Sequence, residues 1–183
     1  MKNMTVRKLV IFSMLSAVSI VLVMFVRFPL FPAAAFLEFD AGDIPIMLGT
    51  FAFGPLAGLL MTVVVSLIQG FTVSAHSGLY GILMHIIASG ALCLVAGGIY
   101  RKNRTRKGAI IALIAATLVM TALMVLANLL ITPIFMRVPR QIVVDMIFTV
   151  FVPFNLLKGL ITSVITFVLY KPLSRHVFKL ERK

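Results

Sequence analysis

The 57 residues from Ile44 to Tyr100 read IPIMLGTFAFGPLAGLLMTVVVSLIQGFTVSAHSGLYGILMHIIASGALCLVAGGIY, without one Asp, Glu, Lys or Arg. A bilayer core takes roughly 20 apolar residues per helical span, so this run alone predicts at least two crossings. The rest of the chain agrees: 61% of the 183 residues are hydrophobic and 12% are charged. A water-soluble domain needs more polar surface than that. The fold class expected is an all-α membrane protein.

Working outward, Lys2, Arg7 and Lys8 precede an apolar segment that ends at Arg27-Phe28-Pro29. It lacks a small-x-small cleavage site and reads as a retained first helix. Spans are expected near 9–26, 40–53, 55–70, 78–100, 109–132 and 147–170, in a single membrane domain covering 1–183. The break between the second and third rests on Gly54-Pro55, where Pro55 suits the first turn of a helix. Charge placement supports it. Basic clusters precede the first span, fill Arg101 to Lys107, and follow the last span at Lys171, Arg175, Lys179, Arg182 and Lys183. If all three are cytoplasmic, an even number of crossings must separate the first two. Six spans with both termini inside satisfy this. Residues 27–43, 70–77 and 133–146 are then external.

The 27–43 connector is long and apolar, yet its stretch Phe36-Leu-Glu-Phe-Asp-Ala-Gly-Asp-Ile-Pro45 holds three of the five acidic residues. It is expected to fold over the outer end of the bundle and close a cavity, because irregular backbone at membrane depth needs protein shelter. The alternative is a segment lying on lipid headgroups. Asp43 reads as an N-cap of the second helix, leaving Asp40 as the carboxylate for a ligand or for Lys158. Asn128, Asn155 and Lys158 are polar groups inside spans, and such groups face a protein interior or a wet cavity. Asn155 and Lys158 share a helix face.

Catalytic and metal constellations are not expected. His76 and His85 have no Cys or clustered carboxylate beside them in sequence. Cys93 is alone, and no Walker A or HExxH pattern occurs. Any ATP-driven motor therefore belongs to another subunit. The basic clusters suit topology and anionic lipid rather than nucleic acid. Ser13-x-x-x-Ala17 on the first helix is a small-xxx-small pattern that lets another helix approach closely.

Phe36 to Pro45, followed by Gly49-Thr-Phe-Ala-Phe-Gly-Pro55-Leu-Ala-Gly58, resembles the S-component family of energy-coupling-factor (ECF) vitamin transporters, in its riboflavin-binding branch. The resemblance covers roughly residues 5–175. It implies a six-helix S-component bundle and a non-catalytic, multi-pass subunit of a bacterial cell membrane. Riboflavin is implied as transported ligand, with no cofactor. The implied contacts are Leu37, Glu38, Phe39, Asp40, Asn128, Thr132, Asn155 and Lys158. The implied partners are a transmembrane coupling protein and two cytoplasmic ATPase subunits, with Ser13 and Ala17 as the docking patch. An S-component for another vitamin is the nearest alternative, and a membrane enzyme or small channel the more distant one.

Overall fold

A computed structural model describes residues 6–34 and 36–176. Of the basic clusters, Lys2, Lys179, Arg182 and Lys183 lie outside the described residues. The chain runs through α1 (Val6–Phe25), strand β1 (Arg27–Pro29), a 3-10 turn (Pro32–Ala34), strand β2 (Glu38–Asp40), α2 (Asp43–Phe53) and α3 (Pro55–Phe71). A second 3-10 turn (Ala75–Ser77) then leads into α4 (Gly78–Lys102), α5 (Arg106–Met136) and α6 (Arg140–Met146). A π-helical turn (Ile147–Phe151) joins α6 to α7 (Val152–His176). Among the described residues, four helical stretches are long and apolar enough to cross a membrane: Val6–Phe25, Ala75–Lys102, Arg106–Met136 and Arg140–Leu173. The apolar helices α2 and α3 are shorter.

Helix α2 is the centre of the bundle. It packs against α1, α3, α4 and α7, and every residue from Asp43 to Ala52 is buried. A helix apolar all round has no face to give to lipid or water and belongs inside. Its 11 residues span only about 16 Å, which the surrounding longer helices shelter. Helix α1 is the opposite case. Only Ser19 and Val23 are buried, while Leu9, Val10, Met14, Val18 and Val21 are exposed.

Gly54 separates α2 from α3 with φ 102, a left-handed value that costs a glycine little and any L side chain more. Pro55 opens α3, where its missing N–H is no loss. Gly97 of α4 packs against this corner: a Cβ there would meet Pro55 Cα at 2.9 Å and Thr50 Cγ2 at 2.7 Å. Gly97→Ala is expected to force α4 away from a backbone that cannot yield, costing about 1–3 kcal/mol. A lowered thermal midpoint in detergent checks this, and an unchanged midpoint refutes it.

Three local expectations differ from the structure. The 27–43 connector is not irregular throughout. Its ends pair as an antiparallel ribbon with Arg27 opposite Asp40 and Phe28 opposite Phe39. Pro133 does not end α5, which continues one turn to Met136 and closes with Arg137 in the left-handed region. Proline removes one ladder bond, and a long, well-packed helix survives that loss. The segment 133–146 is largely helical, and α6 passes into α7 through the π turn. Pro153 just beyond supplies no N–H to a regular α ladder, and π turns occupy such breaks.

Candidate functional site

The ribbon positions the site. Side chains alternate along a strand, so Glu38 and Asp40 face one way and Phe39 the other. Glu38 and Asp40 line a cavity together with Leu37. Phe39 instead packs with Ala41, Ile44 and Leu48 and against Phe28, with ring centroids 5.5 Å apart. Of the eight expected contact residues, Phe39 alone is directed away from the cavity. Asn128, Thr132, Asn155 and Lys158 all line it, although they come from α5 and α7. The cavity lies at the end of the bundle opposite the Arg101–Lys107 segment.

Its walls combine aromatic rings with many polar side chains. Phe36, Tyr80, Phe135 and Phe154 contribute rings, and Tyr80 and Phe135 stand with centroids 5.8 Å apart. Asn128 donates to the Met124 carbonyl at 2.7 Å and accepts from Thr132 Oγ1 at 2.8 Å. One amide hydrogen and one lone pair remain uncommitted in those bonds. Asn155 donates to the Phe151 carbonyl at 2.7 Å. Gln69 lines the cavity too, and its buried Oε1 lacks a hydrogen-bond partner among the described residues. Such an acceptor is costly to leave unpaired unless a ligand or water meets it.

Beside these amides sits a buried charge cluster. Lys158 Nζ lies 3.1 Å from Asp40 Oδ2 and 3.2 Å from Asp43 Oδ2. Asp43 is therefore not the N-cap expected of it. It is the first residue of α2, Gly42 precedes it, and its carboxylate makes no cap bond. An ammonium in a low-dielectric interior offers far more than an exposed cap can, which explains the choice. Asp40 belongs to the ribbon, outside the helical spans. Burial raises its carboxyl pKa, but Lys158, His85 and the Gly42 N–H together outweigh burial and hold it below the ordinary carboxylate value.

Sequence reasoning missed His85. Its Nε2 lies 3.6 Å from Asp43 Oδ1 and 3.9 Å from Asp40 Oδ2, so carboxylates do cluster beside it. Asp40, Asp43 and His85 could hold a cation by spacing alone, yet the Lys158 ammonium already stands against both carboxylates. Ser66 and Ser89 complete the network. The available signal was the spacing Thr62/Ser66 and His85/Ser89, polar groups four apart on otherwise apolar helices. Arg27 was also missed. It pairs with Glu38 and donates to the Val73 carbonyl at 2.9 Å, tying the ribbon to the α3–α4 connection.

Comparisons with known proteins place the chain in a family. The family described as ECF transporter, substrate-specific component, matches residues 7–170. The chain belongs to this family. This S component is accordingly a transporter subunit and a multi-pass membrane protein, not an enzyme. It is 30% identical to the riboflavin transporter RibU of Staphylococcus aureus, over 92% of this chain and 90% of that protein. It is 31% identical to RibU of Streptococcus thermophilus, covering 95% and 86%. The riboflavin transporter FmnP of Bacillus subtilis is 29% identical, covering 92% and 94%. Among solved structures, the S component of a bacterial ECF transporter superposes with TM-score 0.79 at 32% identity, covering 96% of this chain and 98% of its own. The helical architecture of this S component is thus that of its family.

Proposed function

We propose that this S component captures riboflavin from outside the cell and passes it inward with an ECF coupling protein and two cytoplasmic ATPases. The observation that carries the reading is the cavity itself. Four aromatic rings suit a flat isoalloxazine, and the convergent groups of Gln69, Asn128, Asn155 and Lys158 suit its polar edge and the ribityl hydroxyls. Leu37, Glu38, Asp40 and Thr132 border the same space, whereas Phe39 supports the ribbon from behind. The names of the relatives point to the same ligand. Purified protein is expected to be yellow, with flavin absorbance that survives dialysis, and to quench flavin fluorescence on titration. Binding of another vitamin and not of riboflavin would overturn the substrate while leaving the transporter class intact.

The membrane arrangement belongs to the same proposal. The chain is read as one domain with six crossings: α1, α2, α3, α4, α5, and α6 continued into α7. Both termini and the Arg101–Lys107 segment are cytoplasmic, which puts the cavity end outside. Asn103→Cys is expected to resist an impermeant thiol reagent added to intact cells and to react once the membrane is opened. The one native cysteine, Cys93, is buried, so background labelling is low. Labelling from outside would refute the orientation.

A further inference from the structure

A flavin is a coloured, redox-active cargo. Blue light raises its ring to an excited state that takes an electron from an electron-rich group in contact with it. Among side chains the ready donors are the indole of Trp and the phenol of Tyr, whereas the unsubstituted ring of Phe holds its electrons too tightly. The chain has no Trp and three Tyr, so its donors can be placed one by one.

Tyr100 and Tyr170 are packed elsewhere. Tyr100 stacks on Phe51 with ring centroids 4.4 Å apart and meets Tyr170 edge-on at 5.5 Å. Neither of them lines the cavity. Tyr80, in the first turn of α4, does line it, and its ring is set against Phe135 of α5 at 5.8 Å. Met84 follows one turn later on the same face of α4 and also lines the cavity, as does Met124 of α5. Those thioethers are what an excited flavin damages. It passes its energy to dissolved oxygen, and one oxygen molecule then turns two thioethers into two sulfoxides. Each sulfoxide is a polar group where the wall was apolar.

We infer that Tyr80 discharges light-excited flavin in the cavity and thereby protects the methionines that line it. One electron passes from the Tyr80 phenol to the excited ring and returns. Both partners end in their starting state, the absorbed energy leaves as heat, and no co-reactant is consumed. Transfer between rings in contact outruns the transfer of energy to oxygen, which must first diffuse in. The same step supplies the cause of the quenching expected on titration. The inference rests on the riboflavin reading above, since the cargo must be a flavin.

The test uses the full-length protein in detergent, saturated with riboflavin, so that a change of affinity does not enter the reading. The parent complex is expected to be nearly dark, and Tyr100→Phe equally so. Tyr80→Phe is expected to emit severalfold more strongly, with a longer excited-state lifetime. If Tyr80→Phe is as dark as the parent, Tyr80 is not the donor. A parent that emits like free riboflavin overturns the discharge itself. Should Tyr80→Phe fail to fold, transient absorption of the parent decides. Reduced flavin and oxidised tyrosine are expected to appear and vanish together, and their absence overturns the inference. Under blue light in air, sulfoxide at Met84 and Met124, read by mass spectrometry, is expected to build up faster in Tyr80→Phe. Equal rates overturn the protective role. A parent that takes up no flavin overturns the transport reading and this inference with it. Emission from a parent that does take it up judges Tyr80 alone.

Discussion

Lys158→Met is expected to weaken riboflavin binding about tenfold to a hundredfold, and to lower stability as well. The first effect is loss of a charged donor facing the cavity, where such bonds are worth about 1.5–3 kcal/mol. The second follows from the two carboxylates it leaves behind. Asp40 and Asp43 are 3% and 1% exposed, too buried for water to replace the ammonium. Breaking a buried ion pair from one side typically costs about 3–5 kcal/mol. The pairing with two carboxylates thus ties the site to the stability of the fold. Asn128→Ala is the contrast. Its committed bonds stay within α5, so affinity is expected to drop about tenfold with little change in melting. Fluorescence titration and thermal unfolding of both variants measure the two effects. Parent-like affinity in both would move the ligand site elsewhere. A melting point of Lys158→Met equal to the parent's would refute the coupling of site to stability.

Ser13→Leu combined with Ala17→Leu is expected to abolish uptake by cells while leaving riboflavin binding to the isolated subunit nearly unchanged. Both residues are exposed on α1, the helix least buried in the bundle, and neither lines the cavity. Small side chains allow a partner helix close backbone approach, and two leucines remove that approach. Within the chain they meet no tight packing that would suffer. Uptake of labelled riboflavin in cells, set against titration of purified protein, separates transport from capture. An equal loss in both assays would place Ser13 and Ala17 in the internal packing. Normal uptake would remove them from the docking surface.

The membrane class and most helices were legible because they follow from local rules. A run of 57 uncharged residues from Ile44 to Tyr100 has no other stable solvent than lipid or protein, and Gly54-Pro55 announces its own break. Asn128, Asn155 and Lys158 were legible as site candidates for the same reason: a polar group inside a span demands a partner. What the partner is, no local rule says. Asp40 and Lys158 are 118 residues apart, and only the packing of α2 amid α1, α3, α4 and α7 brings ribbon and last helix together. That packing gave Asp43 a buried cation in place of a helix cap, and gave His85 two carboxylates that its sequence neighbours do not contain. The direction of Phe39 depended on the ribbon's register, since strand alternation assigns faces only once pairing is set. Periodicity and composition act over one or two turns of chain and determined the elements. The charge cluster exists because ionised groups buried far from water must find each other, and where they meet was decided by the tertiary structure.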